Sequence, residues 1–143
     1  MPKVFLGGTC SGYKWREDFI PLLHHNYYNP IVKNWSETDR KREVWERQTA
    51  DCVLYVITSG IKGVYSIAEV IDDSNKRPSK TVLCILTEGM NKQMAHSVEA
   101  VANLARENGV QVFDNLKDTA EYVNNFLGFI ERVFDFEPQV YPG

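Results

Sequence analysis

Two glycine-rich loops and a few carboxylates carry what chemistry this sequence offers. The first loop, Gly7-Gly-Thr-Cys-Ser-Gly-Tyr13, follows an apolar run. Gly7, Gly8 and Gly12 let backbone amides close on a ligand, and the next helix aims its N-terminus at it. Such a loop suits an anionic or sugar-like group; its plainer use is a tight strand-to-helix turn. It is neither GxGxxG nor GxxxxGK[ST], so no dinucleotide or P-loop fingerprint is present. A second loop, Thr58-Ser-Gly-Ile-Lys-Gly63, leads to Ser66 and Glu69. A carboxylate in the early turns of a helix that starts at a crevice can look into it, with its charge favoured by the helix N-terminus. By periodicity alone, Glu69, Asp72 and Asp73 form a solvated acidic face, because Val64, Ile67, Ala68 and Ile71 supply the apolar stripe. Glu43 and Glu46 stand one turn apart among Arg40, Lys41, Arg42 and Arg47, which reads as an exposed helix with internal ion pairs or as a second acidic group for a site. Trp15, Trp35 and Trp45 fall near these segments, and an aromatic plane beside an amide-rich loop suits a flat heterocycle, core packing being the other use. His24 and His25 are adjacent and His96 stands alone, so no metal-ligand set and no Cys-His or Ser-His pairing emerges.

The elements that must position these groups follow from the apolar pattern. Short continuous β-rich runs alternate with longer stretches of helical period, the pattern of a parallel sheet covered on both faces. Strands are predicted over 3–7, 27–32, 52–58, 81–87 and 110–113, and helices over 15–25, 37–49, 64–73, 91–108 and 116–134. Ser36 with Asp39 predicts a capping box, Gly109 a helix stop, and Pro21 a kink or late start in the first helix. Right-handed crossovers give an α/β doubly wound five-stranded sheet in the order 2-1-3-4-5, a single domain over 1–143, with ligands at the carboxyl ends of strands 1 and 3. The 143 residues, 43% hydrophobic and 24% charged, fit one globular core. A net charge of −3 without a basic stripe argues against a nucleic-acid polymer as partner. Scattered Cys10, Cys52 and Cys84 point to a reducing cytoplasm, and apolar runs far short of ~20 residues point away from a membrane.

Cys10 and Arg16 share the C-x5-R spacing of low-molecular-weight phosphotyrosine phosphatases, but Tyr13, Lys14 and Trp15 crowd the cradle and Glu17 stands where that motif carries Ser or Thr. A broader match lies in the order Val4-Phe-Leu-Gly-Gly8, Trp15, Tyr28-Asn-Pro30, Trp35, Glu43 ahead of Ala50-Asp51, and Ser66-Ile-Ala-Glu69. Over about the first ninety residues the chain resembles the nucleoside 2-deoxyribosyltransferase-like family. That resemblance implies a flavodoxin-like fold, a homo-oligomer, no cofactor or metal, and cleavage or transfer at the N-glycosidic bond of a deoxynucleoside or its nucleotide. It further implies Glu69 as nucleophile and Glu43 as the acidic group contacting substrate, with Glu46 as fallback. Gly7, Gly8, Trp15, Asn29, Trp35, Ser59 and Ser66 are the expected substrate contacts. Val70-Ile71 replaces the usual Leu-Gly after the glutamate, and Thr58, Ser59 or Lys62 replaces a usual second Asp. The tail, Phe134 and Phe136 through Val140 and Tyr141, resembles the aromatic C-terminus with which members complete a neighbour's site. The competing reading is a non-catalytic nucleotide-binding module on the same fold.

Overall fold

Each buried apolar run pairs in parallel with the next, and the result is one sheet in the order β2-β1-β3-β4-β5. The computed structural model describes residues 2–31, 35–134 and 140–142. Its strands are β1 (Lys3–Gly8), β2 (Asn26–Tyr28), β3 (Cys52–Ile57), β4 (Thr81–Ile85) and β5 (Gln111–Phe113). The helices are α1 (Trp15–Phe19), α2 (Glu37–Thr49), α3 (Tyr65–Lys76), α4 (Lys92–Glu107) and α5 (Leu116–Val133). This is a flavodoxin-like α/β domain, and β1, β3 and β4 are buried on both faces. Alternate residues divide the core. Val4, Leu6, Leu54 and Val56 pack with Trp15 and Phe19 of α1 and with Val123 and Leu127 of α5. Phe5, Val53, Tyr55 and Ile57 pack on the opposite face with Val70 of α3 and with Val98 and Ala102 of α4. Among the described residues, no helix is long and apolar enough to cross a membrane.

Local signals set the boundaries. Ser36 and Asp39 form the reciprocal capping box of α2, and Asn91 and Asn115 cap α4 and α5 through their side chains. Gly109 takes φ +99° just after α4. Three expectations are corrected. The first helix is only five residues long and passes into a 3-10 turn at Ile20–Leu22, because Pro21 withholds a backbone donor. The second strand is three residues, not the span 27–32; Asn29 folds back to accept from the Ile31 amide, and Val32 lies outside the described residues.

The third correction bears on the site. Val64 is 80% exposed and precedes α3, Ala68 is exposed, and the buried side of α3 carries Val70, Asp73 and Ser74. The stripe is thus rotated from the predicted one, with Ile67 and Ile71 at its margin. Asp73 is fully buried rather than part of a solvated face, because Arg47 of α2 and Arg77 supply its charge partners.

Candidate active site

Glu69 sits one turn into α3 with its side chain 11% exposed, turned toward α2. Between the two helices a cavity of about 300 Å³ is lined by Trp35, Arg40, Glu43, Val44, Arg47, Tyr65 and Glu69. Two acids predicted as catalytic therefore share one enclosure, with the aromatic faces of Trp35 and Tyr65 beside them. Burial pushes the Glu69 carboxyl up to about 7; Arg47 opposes this, while Glu43, Asp73 and Asp72 add to it. Burial also raises Glu43, against the pull of Trp35, Arg47 and Arg16. Burial thus favours the neutral form of both acids, and the Arg47 charge opposes it at each.

In the cavity wall, Arg47 links the helices. Its Nε stands 3.5 Å from Oε2 of Glu69, and its Nη1 stands 3.2 Å from Oδ1 of Asp73 and 3.7 Å from Oδ2 of Asp72. Asp73 also accepts from the Tyr55 hydroxyl and from Arg77. Although burial works against the Arg47 charge, Tyr55, Asp73 and Glu69 hold it above its ordinary value. The Tyr55 ring in turn lies against Gly7, where an added Cβ would fall 2.8 Å from Cε1 of the ring. Gly7 is thus required by a packing contact on the same side of the sheet as the cavity.

The other expected contacts are placed elsewhere. Gly8 takes φ +112°, and a Cβ there would lie 2.1 Å from the Val56 carbonyl oxygen, so its role in the described chain is the close approach of β1 to β3. Trp15 is fully buried and donates its indole N–H to the Thr9 carbonyl, the core role among the tryptophans. Asn29 spends its side-chain oxygen on the Ile31 amide. Ser59 lines a larger cleft of about 930 Å³ at the ends of β3, β4 and β5, with Tyr13, Glu88 and Asp114. Ser66, in the first turn of α3, is half-buried outside the Glu69 cavity lining. Glu46 is buried and paired with Lys3 Nζ at 2.8 Å, a structural ion pair rather than a site acid. The inward-facing side of α2 therefore carries paired and partly buried charges, unlike a freely exposed helix. Arg40, Val44, Arg47 and Tyr65 are cavity residues absent from the expected contacts. The signal for Arg47 was its place one turn after Glu43, which sends both side chains to the same side of α2.

The C-x5-R loop has a different use. Arg16 is buried and gives its guanidinium to the Leu6 and Thr9 carbonyls, while the Cys10 thiol turns to the Gly8 carbonyl. The fork is committed to closing the loop instead of cradling a phosphate. Burial pushes Cys52 up to about 12 and Cys84 up to about 11, which leaves both as neutral core thiols. A scan against protein-family models and a search of curated proteins return no match to this chain.

Proposed function

We propose that this protein is a deoxyribosyltransferase-like N-glycosidase that cleaves or transfers at the N-glycosidic bond of a deoxynucleoside or deoxynucleotide, without a cofactor. The observation that carries the reading is the pairing of Glu69, 11% exposed, with Glu43 in one cavity walled by Trp35 and Tyr65. In the proposed reaction a Glu69 oxygen attacks C1′ as the C1′–N bond breaks, and the bonding pair leaves with the base. Glu43 donates a proton to that base. Water, deprotonated by Glu43, then attacks C1′ and the bond to Glu69 breaks, regenerating both groups; a second base in place of water makes the reaction a transfer. Trp35 and Tyr65 supply planes for the heterocycle. The order of residues resembling the nucleoside 2-deoxyribosyltransferase-like family supports the same roles. We place the protein in the cytoplasm as a homo-oligomer whose partner is a small nucleoside or nucleotide.

The test is base release from a panel of deoxynucleosides and deoxynucleotides, with and without a free acceptor base, followed by chromatography. Glu69→Gln is expected to bind ligand while turnover falls by several orders of magnitude, and the parent is expected to yield a deoxyribosyl adduct on Glu69 by mass spectrometry. Glu43→Gln is expected to slow release by about 10²-fold, less with a leaving group that needs no proton. Release at the parent rate by Glu69→Gln refutes the mechanism. One observation favours a second reading, a nucleotide-binding module without catalysis: the loop after β3 offers Thr58, Ser59 or Lys62 where the family carries a further Asp. Ligand-induced melting shifts with no product from any substrate would establish that reading.

A further inference from the structure

We propose that Arg47, held from behind by the buried Asp73, is a positioning residue that keeps the Glu69 carboxylate turned into the cavity. The inference rests on the reading of Glu69 as nucleophile and adds to it how that nucleophile is aimed.

Three observations carry it. First, among the described residues Arg47 is the one cation within ion-pair distance of Glu69, while the charges nearest it are otherwise negative: Glu43 across the cavity, and Asp72 and Asp73 on its own helix. Without Arg47, these acids would repel the Glu69 carboxylate. Second, the pairing is loose. Nε stands 3.5 Å from Oε2, beyond a well-formed hydrogen bond. Arg47 therefore orients the group by its charge rather than by a tight hydrogen bond. Third, Arg47 is itself fixed. Its Nη1 stands 3.2 Å from Asp73 Oδ1, and Asp73 is held at its other oxygen by Tyr55 and at the same oxygen by Arg77. Tyr55 has its ring seated against Gly7. The planar fork reaches two carboxylates one helical turn apart, which a lysine ammonium cannot do with the same geometry. Arg40 and Tyr65 complete the polar groups lining the cavity, and Trp35 stands beside Glu43.

The experiment titrates the Glu69 carboxyl by ¹³C NMR, assigned with Glu69→Gln, in the intact parent, Arg47→Met, Arg47→Lys and Asp73→Asn, and measures base release against pH for the same proteins. Arg47→Met is expected to move the Glu69 midpoint up by about one pH unit or more and to lower kcat by about tenfold with little change in KM. Arg47→Lys is expected to restore the midpoint but not kcat. Asp73→Asn removes a negative charge, which alone would lower the midpoint; loss of its grip on Arg47 is expected to raise it instead. An unchanged midpoint in Arg47→Met overturns the proposal, full recovery of kcat by Arg47→Lys reduces the role to charge and overturns the positioning, and a falling midpoint in Asp73→Asn removes Asp73 from it. A parent that releases no base defeats the N-glycosidase reading, while an unchanged Glu69 midpoint in Arg47→Met overturns the part played by Arg47 whether or not base is released.

Discussion

Arg47 Nη1 of α2 stands 3.2 Å from Oδ1 of the fully buried Asp73 of α3, so the helix that carries Glu43 is tied by a charge to the helix that carries Glu69. The two acids are thereby held in one cavity by a contact that neither of them makes with the other. A buried carboxylate with several donors on it is costly to disturb, because removing one partner leaves uncompensated charge. The fixed ion pair and the titrating acids beside it have opposite effects on stability, and the acids give the first prediction.

In the folded protein burial lifts the Glu69 carboxyl from an ordinary 4.5 to about 7. Between these two values the fold holds a proton that the unfolded chain has released, so stability from this group is full below about 4.5 and declines until about pH 7. Glu69→Gln cannot lose that proton. The variant is expected to melt above the parent at pH 8, by an amount worth at most about 3 kcal/mol, and to lose most of that advantage by pH 5. Thermal melts of both proteins across this range provide the check; a variant less stable than the parent at pH 8 contradicts burial as the cause.

The fold was legible because its signals are local and redundant. Continuous apolar strands, the Ser36–Asp39 box and Gly109 each fix an element without reference to distant residues. The site was legible only in part, since Glu69, Glu43 and Trp35 do line one cavity, but Arg47 acquires its meaning from Asp73, twenty-six residues away. The α3 stripe departs from its periodicity for the same reason. Periodicity counts Asp73 as polar and therefore outward, whereas two arginines and a tyrosine make its burial affordable. The sequence neighbours of Trp15 suggest the ligand loop, whereas its indole closes that loop from within.

The two ends of the C-x5-R spacing are expected to behave in opposite ways. Arg16 donates at 3.2 and 3.0 Å to the Leu6 carbonyl and at 2.9 Å to that of Thr9, with its guanidinium 4.4 Å from the Trp15 ring centroid. Arg16→Met keeps the length but removes these donors beneath the loop, for an expected loss of about 2 kcal/mol in urea unfolding. Cys10 is exposed, with its thiol on the Gly8 carbonyl, so Cys10→Ser is expected to change stability by less than about 0.5 kcal/mol and to leave base release within a few-fold of the parent. Phosphatase turnover that disappears in Cys10→Ser would reverse this assignment.

The aromatic tail provides the last prediction, because it separates an internal contact from a contact between subunits. The family resemblance implies a place at a neighbour's site for Phe134, Phe136, Val140 and Tyr141; Phe136 lies outside the described residues, and Phe134 and Val140 are exposed. Tyr141 instead meets its own chain. Its ring stands edge-on to Trp45 of α2 with centroids 5.4 Å apart, and the Arg42 guanidinium lies 5.5 Å from the Tyr141 ring and 5.3 Å from that of Tyr28. Lys3 covers Trp45 at 5.4 Å, which joins the contact to β1. An aromatic pair with a cation beside it is worth about 1–2 kcal/mol in a half-exposed setting. Tyr141→Ala is therefore expected to lower stability by about that much. An internal contact contributes equally at every protein concentration, whereas one that depends on assembly weakens on dilution. Melting parent and variant over a roughly hundredfold range of concentration distinguishes the two: a constant difference places Tyr141 on its own α2, and a difference that shrinks on dilution returns the tail to the neighbouring subunit.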